Sequence, residues 1–482
     1  MSDAGPPQGD RPLGGAARSA VRGEHASEAG AAARAGVHPV DQILPLGQML
    51  AIGLQHVLVM YAGAIAVPLI VGGALKLPKD QIAFLINADL FACGVATLIQ
   101  CLGVWKFGIR LPVIMGVTFA AVGPIVAMAT AGTPITTIFG SVIAAGVFGI
   151  AVAPWFGRLV RFFPPIVTGT IIAIIGITLL RVGINWAGGG VGNKNFGAPE
   201  YLVTVLIVLA VILALNKYGR GFLPNIAVLI GLAVGFAWAW GNGMVRFDGV
   251  AESEWFAVVY PFRFGTPTFE PAAIVSLCIV MVVVMVESTG MFLALGEICG
   301  KKVGASELGR GLATDGLGTV IGGVFNTFPY TSFSQNVGLV GITGVRSRYV
   351  VAVSGVILLA FGLFPKMGAV VASIPQPVLG GAGLCMFGMV AATGIKILAR
   401  VDYTPRHNLI IVAVSIAVGM IPLVSPNFFA QAPKWLDAIT HSGITLTAVC
   451  VILLNAFYNG GGSDEHAVDD LVAVAKTQGT TD

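Results

Sequence analysis

The chain has 482 residues, of which 10% are charged and 56% hydrophobic, with a mean hydropathy of +0.88; a soluble domain carries roughly a quarter charged residues, so a water-soluble fold is excluded and the bilayer must be the solvent. The 27 basic and 23 acidic residues leave a formal charge of only +4, and because the basic residues come singly or in pairs without forming a stripe, nucleic acid is excluded as a partner. The six cysteines, Cys93, Cys101, Cys278, Cys299, Cys385 and Cys450, fall in apolar stretches without Cys-x-x-Cys spacing, so they read as small buried hydrophobes, and neither disulfides nor a metal centre is expected.

Residues 1–44 are rich in Ala, Gly and mixed charge and lack an apolar segment, which predicts a disordered soluble tail and no cleavable signal peptide. From Leu46 to Tyr458, charges, prolines and glycines cut the sequence into about 14 apolar segments, and a spanning helix needs about 20 such residues. The expectation is a polytopic, all-α membrane protein. The spans fall near 48–75, 81–103, 110–128, 136–156, 165–186, 201–216, 222–241, 273–299, 311–325, 330–345, 349–365, 378–399, 407–424 and 440–458, with a second polar tail at 460–482.

Span one carries Gln55 and His56, the latter the one histidine in the middle of a span; a local hydrogen-bond organiser and a proton relay are both open readings. Asp89 lies near the end of span two and reads as structural. Segment three, Gly108-Ile-Arg-Leu-Pro-Val-Ile-Met-Gly-Val-Thr-Phe-Ala-Ala-Val-Gly-Pro124, has prolines at both ends of a short β-prone run and makes a poor continuous helix. The glycine run Gly188 to Gly190 before Val191-Gly-Asn-Lys194 lacks the Gly-Lys-Ser/Thr ending of a phosphate loop, so it reads as a connection and not a nucleotide site.

Span eight places Glu287 near its middle, too deep to snorkel; an ionisable group at that depth is costly and points to function. Glu297 is about 15 Å further along the helix at 1.5 Å per residue, beside Lys301 and Lys302, where a solvated face explains it. Asp315 sits in the glycine-dense span nine, Gly311-Leu-Ala-Thr-Asp-Gly-Leu-Gly-Thr-Val-Ile-Gly-Gly323; it reads either as a proton carrier or as a cap for half-helix ends. Segment ten, from Asn326 to Gly344, again puts Pro, β-branched and aromatic residues before a glycine-punctuated half-helix, with Gln335 and Asn336 at the break. An amide there can bind a ligand edge or satisfy freed backbone, and we assign Gln335 to ligand and Asn336 to structure.

The two abnormal segments are third in the first seven and third in the second seven, the signature of two inverted repeats of seven spans. Non-helical backbone survives at membrane depth only inside protein or beside a cavity, so the two breaks are expected to meet at a midplane site, with half-helix N-termini aimed into it. Even-numbered connections hold Lys106, Arg110, Arg158, Arg161, Lys217, Arg220, Lys301, Lys302, Arg310, Arg346, Arg348, Lys396, Arg400 and Arg406, whereas the odd ones hold fewer basic residues diluted by Asp248, Glu252, Glu254 and Asp437. The positive-inside rule then puts even connections and both termini in the cytoplasm. No His-Glu-x-x-His, Gly-x-Ser-x-Gly or Walker A pattern occurs, so an enzyme or an ATP-driven pump is not expected.

Gln55-His56, Glu287 with Gly290 and Ala294-Leu-Gly-Glu297, and Gln335-Asn336-Val-Gly338 through Thr343 together resemble the nucleobase-ascorbate transporter family, secondary carriers of purines and pyrimidines. The resemblance covers nearly the whole membrane region. It implies a core domain at 45–160 and 273–368 (spans one to four and eight to eleven), a gate domain at 161–245 and 369–459 (spans five to seven and twelve to fourteen), an external loop at 246–272, a homodimer, and drive by the proton gradient with no other cofactor, in a bacterial inner membrane. Uracil carriers of the family place Glu where this chain has Gln335, so the chain looks like a purine carrier. Xanthine-type members tend to have an acid at Met291 and Asn at Thr118, and this combination looks most like the urate permeases. Gly344 departs from the Arg or Lys found there in many members.

What the resemblance implies is proton-coupled symport of an oxidised purine, foremost urate, with a xanthine or dual xanthine and urate permease as the alternative. A flat ring needs an aromatic clamp and a few aimed polar groups: Phe119 for the face, Glu287 and Gln335 for the edges, backbone near Ala120 and Ser334 for further bonds, and Glu287, Asp315 or His56 for the proton. An anion exchanger or channel of the same architecture is the rival from another class, and a carboxyl at the site argues against it.

Overall fold

A computed structural model describes residues 37–156, 162–247, 249–433 and 436–460; the tails up to residue 36 and beyond residue 460, and the loop residues Arg158, Arg161, Asp248 and Lys434, lie outside them. The helices are α1 (Leu46–Ala74), α2 (Lys79–Leu102), α3 (Val122–Thr130), α4 (Ile135–Val152), α5 (Pro165–Ala187), α6 (Pro199–Tyr218), α7 (Ala227–Gly241), α8 (Pro271–Cys299), α9 (Ala305–Val324), α10 (Ser334–Thr343), α11 (Arg348–Gly362), α12 (Pro365–Ala372), α13 (Gln376–Leu398), α14 (Arg406–Val424) and α15 (Gly443–Asn459), with strands β1 (Met115–Val117) and β2 (Tyr330–Ser332). Proline opens α5, α6 and α8 at the first helical position, where its missing N–H costs nothing and its fixed φ suits the helix.

Among the described residues, nine helices are long and apolar enough to cross a bilayer, or ten if α11 and α12 count as one span bent by 78°. The protein is therefore an all-α, multi-pass membrane protein. α12 was not legible as a separate element: the span expected over 349–365 stops at Gly362 and turns sharply into α12 at Pro365. The span expected from residue 222 becomes α-helical only at Ala227, because Leu223–Ile226, with Pro224 inside it, forms a 3-10 turn.

The two abnormal segments are broken as their sequences require. β1 is followed by a 3-10 turn at Phe119–Ala121 and then α3, and β2 leads within two residues into α10. The strands pair antiparallel, with Met115 opposite Ser332, Gly116 opposite Thr331 and Val117 opposite Tyr330, so part of the backbone that a continuous helix would have satisfied is satisfied across the pair. Their outer ends are pinned alike: Thr97 Oγ1 on α2 accepts from the Met115 amide at 2.9 Å, and Thr319 Oγ1 on α9 accepts from the Tyr330 amide at 3.0 Å.

Small residues let the surrounding helices approach. A Cβ on Gly94 of α2 would lie 2.6 Å from the Gly355 carbonyl oxygen of α11, and one on Gly146 of α4 would lie 2.7 Å from that of Gly316 of α9, the close backbone contact that packs helices in lipid. The connection between α7 and α8 folds back over helix ends: the Ala257 amide donates to Leu363, the Phe262 amide to Val324 and the Thr268 amide to Thr136.

Candidate functional site

The paired strands bring two half-helices to one place. Thr118 caps the turn after β1, its Oγ1 accepting from the Ala120 amide at 3.1 Å, and this fixes where Phe119 leaves the backbone. Across the pair, Phe333 follows β2 as the residue before α10, and the next two residues, Ser334 and Gln335, open that helix. Gly116 lacks a Cβ where the Phe333 ring packs, and a Cβ on Gly63 of α1 would lie 2.9 Å from that same ring. The ring is thereby held at the edge of a cavity of about 210 Å³.

One wall of the cavity is built by Ala62 and Gly63 of α1, Phe119, Glu287 of α8, and Phe333, Ser334 and Gln335. The opposite wall comes from Ile172 of α5, Asn216 of α6, Asn225, and Met386, Met389 and Thr393 of α13. Phe119 meets Phe387 of α13 edge to face at 5.9 Å between centroids, so the aromatic contact joins the two walls. Glu287 is half-buried and Gln335 exposed to the cavity, and Ser334 Oγ donates to Gln335 Oε1 at 3.5 Å. Among the described residues, Glu287 is the one acidic side chain on the lining, and no Lys, Arg or His joins it there.

Behind Glu287 lies a buried polar layer. Asp315 of α9 is fully buried; its Oδ1 accepts from Gln100 Nε2 at 3.4 Å, and Ser288 is within hydrogen-bonding reach of it. Ser288 Oγ also lies 3.3 Å from Thr331 Oγ1 in β2, so α8, α9 and β2 meet at these hydroxyls. Asp315 Oδ2 has no partner among the described residues. Asp89 plays a different part: its Oδ1 accepts from Tyr330 Oη at 2.8 Å and Thr327 Oγ1 at 3.1 Å, tying α2 to the start of β2.

His56 and Asn336 form a third unit. Asn336 Nδ2 donates to the His56 carbonyl at 2.9 Å and lies 3.1 Å from His56 Nδ1. The carbonyl can only accept, so the amide nitrogen faces His56, Nδ1 accepts, and the ring proton sits on Nε2. This clamp joins α1 to α10 directly behind Gln335.

The expected residues are thus sorted by the fold. Glu287, Gln335, Phe119 and Ser334 share the cavity; Thr118, Ala120, Asp315, His56 and Asn336 are buried behind it; Met291 is buried in α8 and Gln55 is half-buried on α1, both off the lining. Glu297 is exposed at the end of α8. Sequence reasoning missed Asn216, Asn225 and Thr393. The available signal was weak: an Asn just before Lys217, an Asn after Pro224 and a Thr ahead of Lys396 look like ordinary interfacial residues. At the C-terminal end of α10, Gly344 takes φ +70 and its amide donates to the Val340 carbonyl; a left-handed helix end favours glycine, which accounts for this residue locally.

Comparison with known proteins agrees with the geometry. Residues 47–428 match a family described as Permease family. The chain is 53% identical over 424 residues to the "Uric acid transporter UacT" of Escherichia coli (strain K12), covering 87% of this chain and 88% of that one. It is 45% identical over 416 residues to the "Xanthine permease" of Bacillus subtilis (strain 168), covering 86% and 94%. Among solved structures, the transmembrane domain of the cyanobacterium bicarbonate transporter BicA aligns with a TM-score of 0.59 over 85% of this chain and 96% of that one, at 16% identity, a likeness of fold alone.

Proposed function

The chain belongs to the nucleobase-ascorbate transporter family, and from that premise we propose that it is a proton-coupled symporter that takes up an oxidised purine, urate first, across a bacterial inner membrane. The observation that carries this reading is the convergence of Glu287, Gln335 and the Phe119 ring on one cavity beside the paired strands. A purine presents two flat faces and an edge of alternating donors and acceptors; an aromatic face, an amide with both functions and a carboxyl match it. Thr118 shapes the site as the cap that aims Phe119, and Asn336 and His56 hold the α10 end that carries Gln335. Met291 and Gln55 act through packing.

Proton coupling follows from charge. Urate is largely a monoanion at neutral pH, so it cannot sit beside an ionised Glu287 in a cavity with no cation on its lining. A proton on Glu287 removes the repulsion and supplies a donor, and the N-terminus of α10 receives the anion's charge. Asp315, linked through Ser288, and His56, with its proton on Nε2, are the groups that pass the proton on. The carboxyl of Glu287 on the lining weighs against an anion exchanger, because an ionised carboxylate there would repel the exchanged anion.

We further read the architecture as fourteen spans in two inverted halves of seven, with β1–α3 and β2–α10 as spans three and ten. Supporting this, α2 and α9 are equivalent in the repeat, and each pins a strand through a Thr placed three residues after its contact glycine: Gly94 and Thr97, Gly316 and Thr319. α4 and α11 supply the matching glycines, Gly146 and Gly355. The core is 45–160 and 273–368, the gate 161–245 and 369–459, the external loop 246–272; both termini are cytoplasmic, and the protein works as a homodimer. Uptake of labelled urate into cells or proteoliposomes, competed by a purine panel with and without a pH gradient, tests the reading. Concentrative uptake that follows the gradient and yields to xanthine only at higher concentration is expected; uptake indifferent to the gradient, or none, overturns it.

A further inference from the structure

The external loop at 246–272 leads from α7 of the proposed gate to α8 of the proposed core, and its contacts change sides abruptly. Phe247 stays with α7: its ring meets Phe236 at 6.0 Å and Trp240 at 5.9 Å between centroids. The chain then turns, with the Val250 amide donating to the Phe247 carbonyl and Gly249 at φ +82, a left-handed backbone that favours glycine.

Beyond the turn the contacts belong to the other body. Among the described residues, every hydrogen bond and ring contact that 255–268 make outside their own segment ends on a helix of the proposed core or on a residue next to one. The Ala257 amide donates at 3.1 Å to Leu363 at the end of α11, the Phe262 amide at 2.9 Å to Val324 at the end of α9, and the Thr268 amide at 3.2 Å to Thr136 at the start of α4. Arg263 lies over the Phe84 ring of α2 at 4.9 Å, and Lys366 of α12 lies over the Trp255 ring at 4.6 Å. One segment thus ties together helix ends that are far apart in the sequence. α2 and α9 are also the helices that pin β1 and β2, so the segment braces the frame behind the substrate wall.

We propose that residues 255–268 are a strap of the core that travels with it when core and gate move against each other, and that the joint between the two bodies on this face is the turn after Phe247. The proposal rests on the purine-transport reading given above and on its division into core and gate. A strap that stayed with the gate would break three backbone hydrogen bonds in every cycle and leave their donors and acceptors to find new partners. Movement at the turn breaks none of them, as a hinge confined to a few residues allows.

The test uses disulfide staples in full-length protein reconstituted into proteoliposomes, with each linkage verified by peptide mass and wild-type protein oxidised alongside to control for the six native cysteines. Thr137→Cys with Thr268→Cys joins strap to core where the two hydroxyls already lie 2.8 Å apart. Gly123→Cys with Ile444→Cys joins α3 to α15, core to gate: a Cβ on Gly123 lies 3.8 Å from that of Ile444, the spacing of a relaxed disulfide. Gradient-driven urate uptake is expected to stay within about a factor of two of the reduced protein under the first staple, and to fall at least about tenfold under the second and return with reductant. Uptake lost under the strap staple and restored by reductant overturns the proposal, because the strap then has to leave the core. If the threonine pair does not fold when reduced, Ala257→Cys with Leu363→Cys puts the same question at another anchor. Uptake indifferent to the α3–α15 staple overturns the division into core and gate instead, and wild-type protein that takes up no urate overturns the purine reading, so the three failures are distinct.

Discussion

Glu287 and Gln335 differ in what they can do with a proton, and the site depends on that difference. An amide always offers one donor and one acceptor edge, whereas a carboxyl donates only while it holds a proton. Gln335→Glu therefore replaces a fixed donor with an acceptor that repels a urate anion, and urate affinity of the purified protein should fall at least about tenfold, the scale of a lost bond with its partner left unpaired; unchanged affinity would remove Gln335 from the site. Thr118 makes a second residue-scale case. Its hydroxyl caps the Phe119–Ala121 turn, so Thr118→Val should cost about 1 kcal/mol of stability and weaken binding by loosening Phe119, while Thr118→Asn, an equally good cap, should keep thermal stability in detergent near wild type. A Val variant as stable as wild type would show that the cap contributes nothing. Glu287 and Gln335 were legible in the sequence because a carboxyl deep in an apolar run and an amide at a helix break have no cheap alternative. Asn216, Asn225 and Thr393 were not, since they lie near ordinary loop ends and only the packing of α6, α7 and α13 with one another turns them to one cavity.

At the scale of elements, the broken segments could be read in advance because prolines and β-branched residues spoil a helix wherever they stand. Their pairing could not, because register depends on which helices hold the strand ends. Thr97 and Thr319 supply that hold, and neither stands out in a sequence where many threonines bond the backbone of their own helix. Thr97→Val and Thr319→Val each leave a buried strand amide unpaired, a loss of about 1 to 3 kcal/mol; if the halves are true repeats, the two variants should lower the melting temperature in detergent by similar amounts. A large effect from one and none from the other would break the proposed equivalence of α2 and α9. Gly116 links the strands to the site: a methyl group there collides with the Phe333 ring. Gly116→Ala should raise the half-saturating urate concentration several-fold by pushing that ring into the cavity, an effect that Gly47→Ala, with no neighbour within reach of a Cβ, should not reproduce.

Across the whole molecule, the cavity is a seam: one wall comes from α1, α8 and the paired half-helices, the other from α5, α6, α7 and α13. In the proposed division into core and gate, the body carrying the strands rocks against the second wall, and the Asp315, Asp89 and His56 contacts, made among α1, α2, α9, α10 and β2, move with it. Under the proposed function, coupling requires that motion of the loaded wall depend on the proton that Glu287 carries. Glu287→Gln tests this, because the amide keeps the shape and can donate to the substrate but can neither release nor take up a proton. Binding of urate to the purified variant should largely survive, within about a factor of ten of wild type, while accumulation driven by a pH gradient is lost and slow exchange of labelled for unlabelled urate remains. If Glu287 is instead a structural hydrogen-bonding group and Asp315 or His56 alone moves the proton, the variant either fails to fold or transports with its gradient dependence intact. Affinity, gradient-driven uptake and exchange measured on one preparation separate these outcomes, and concentrative uptake with normal proton dependence would sink the coupled-carboxyl mechanism.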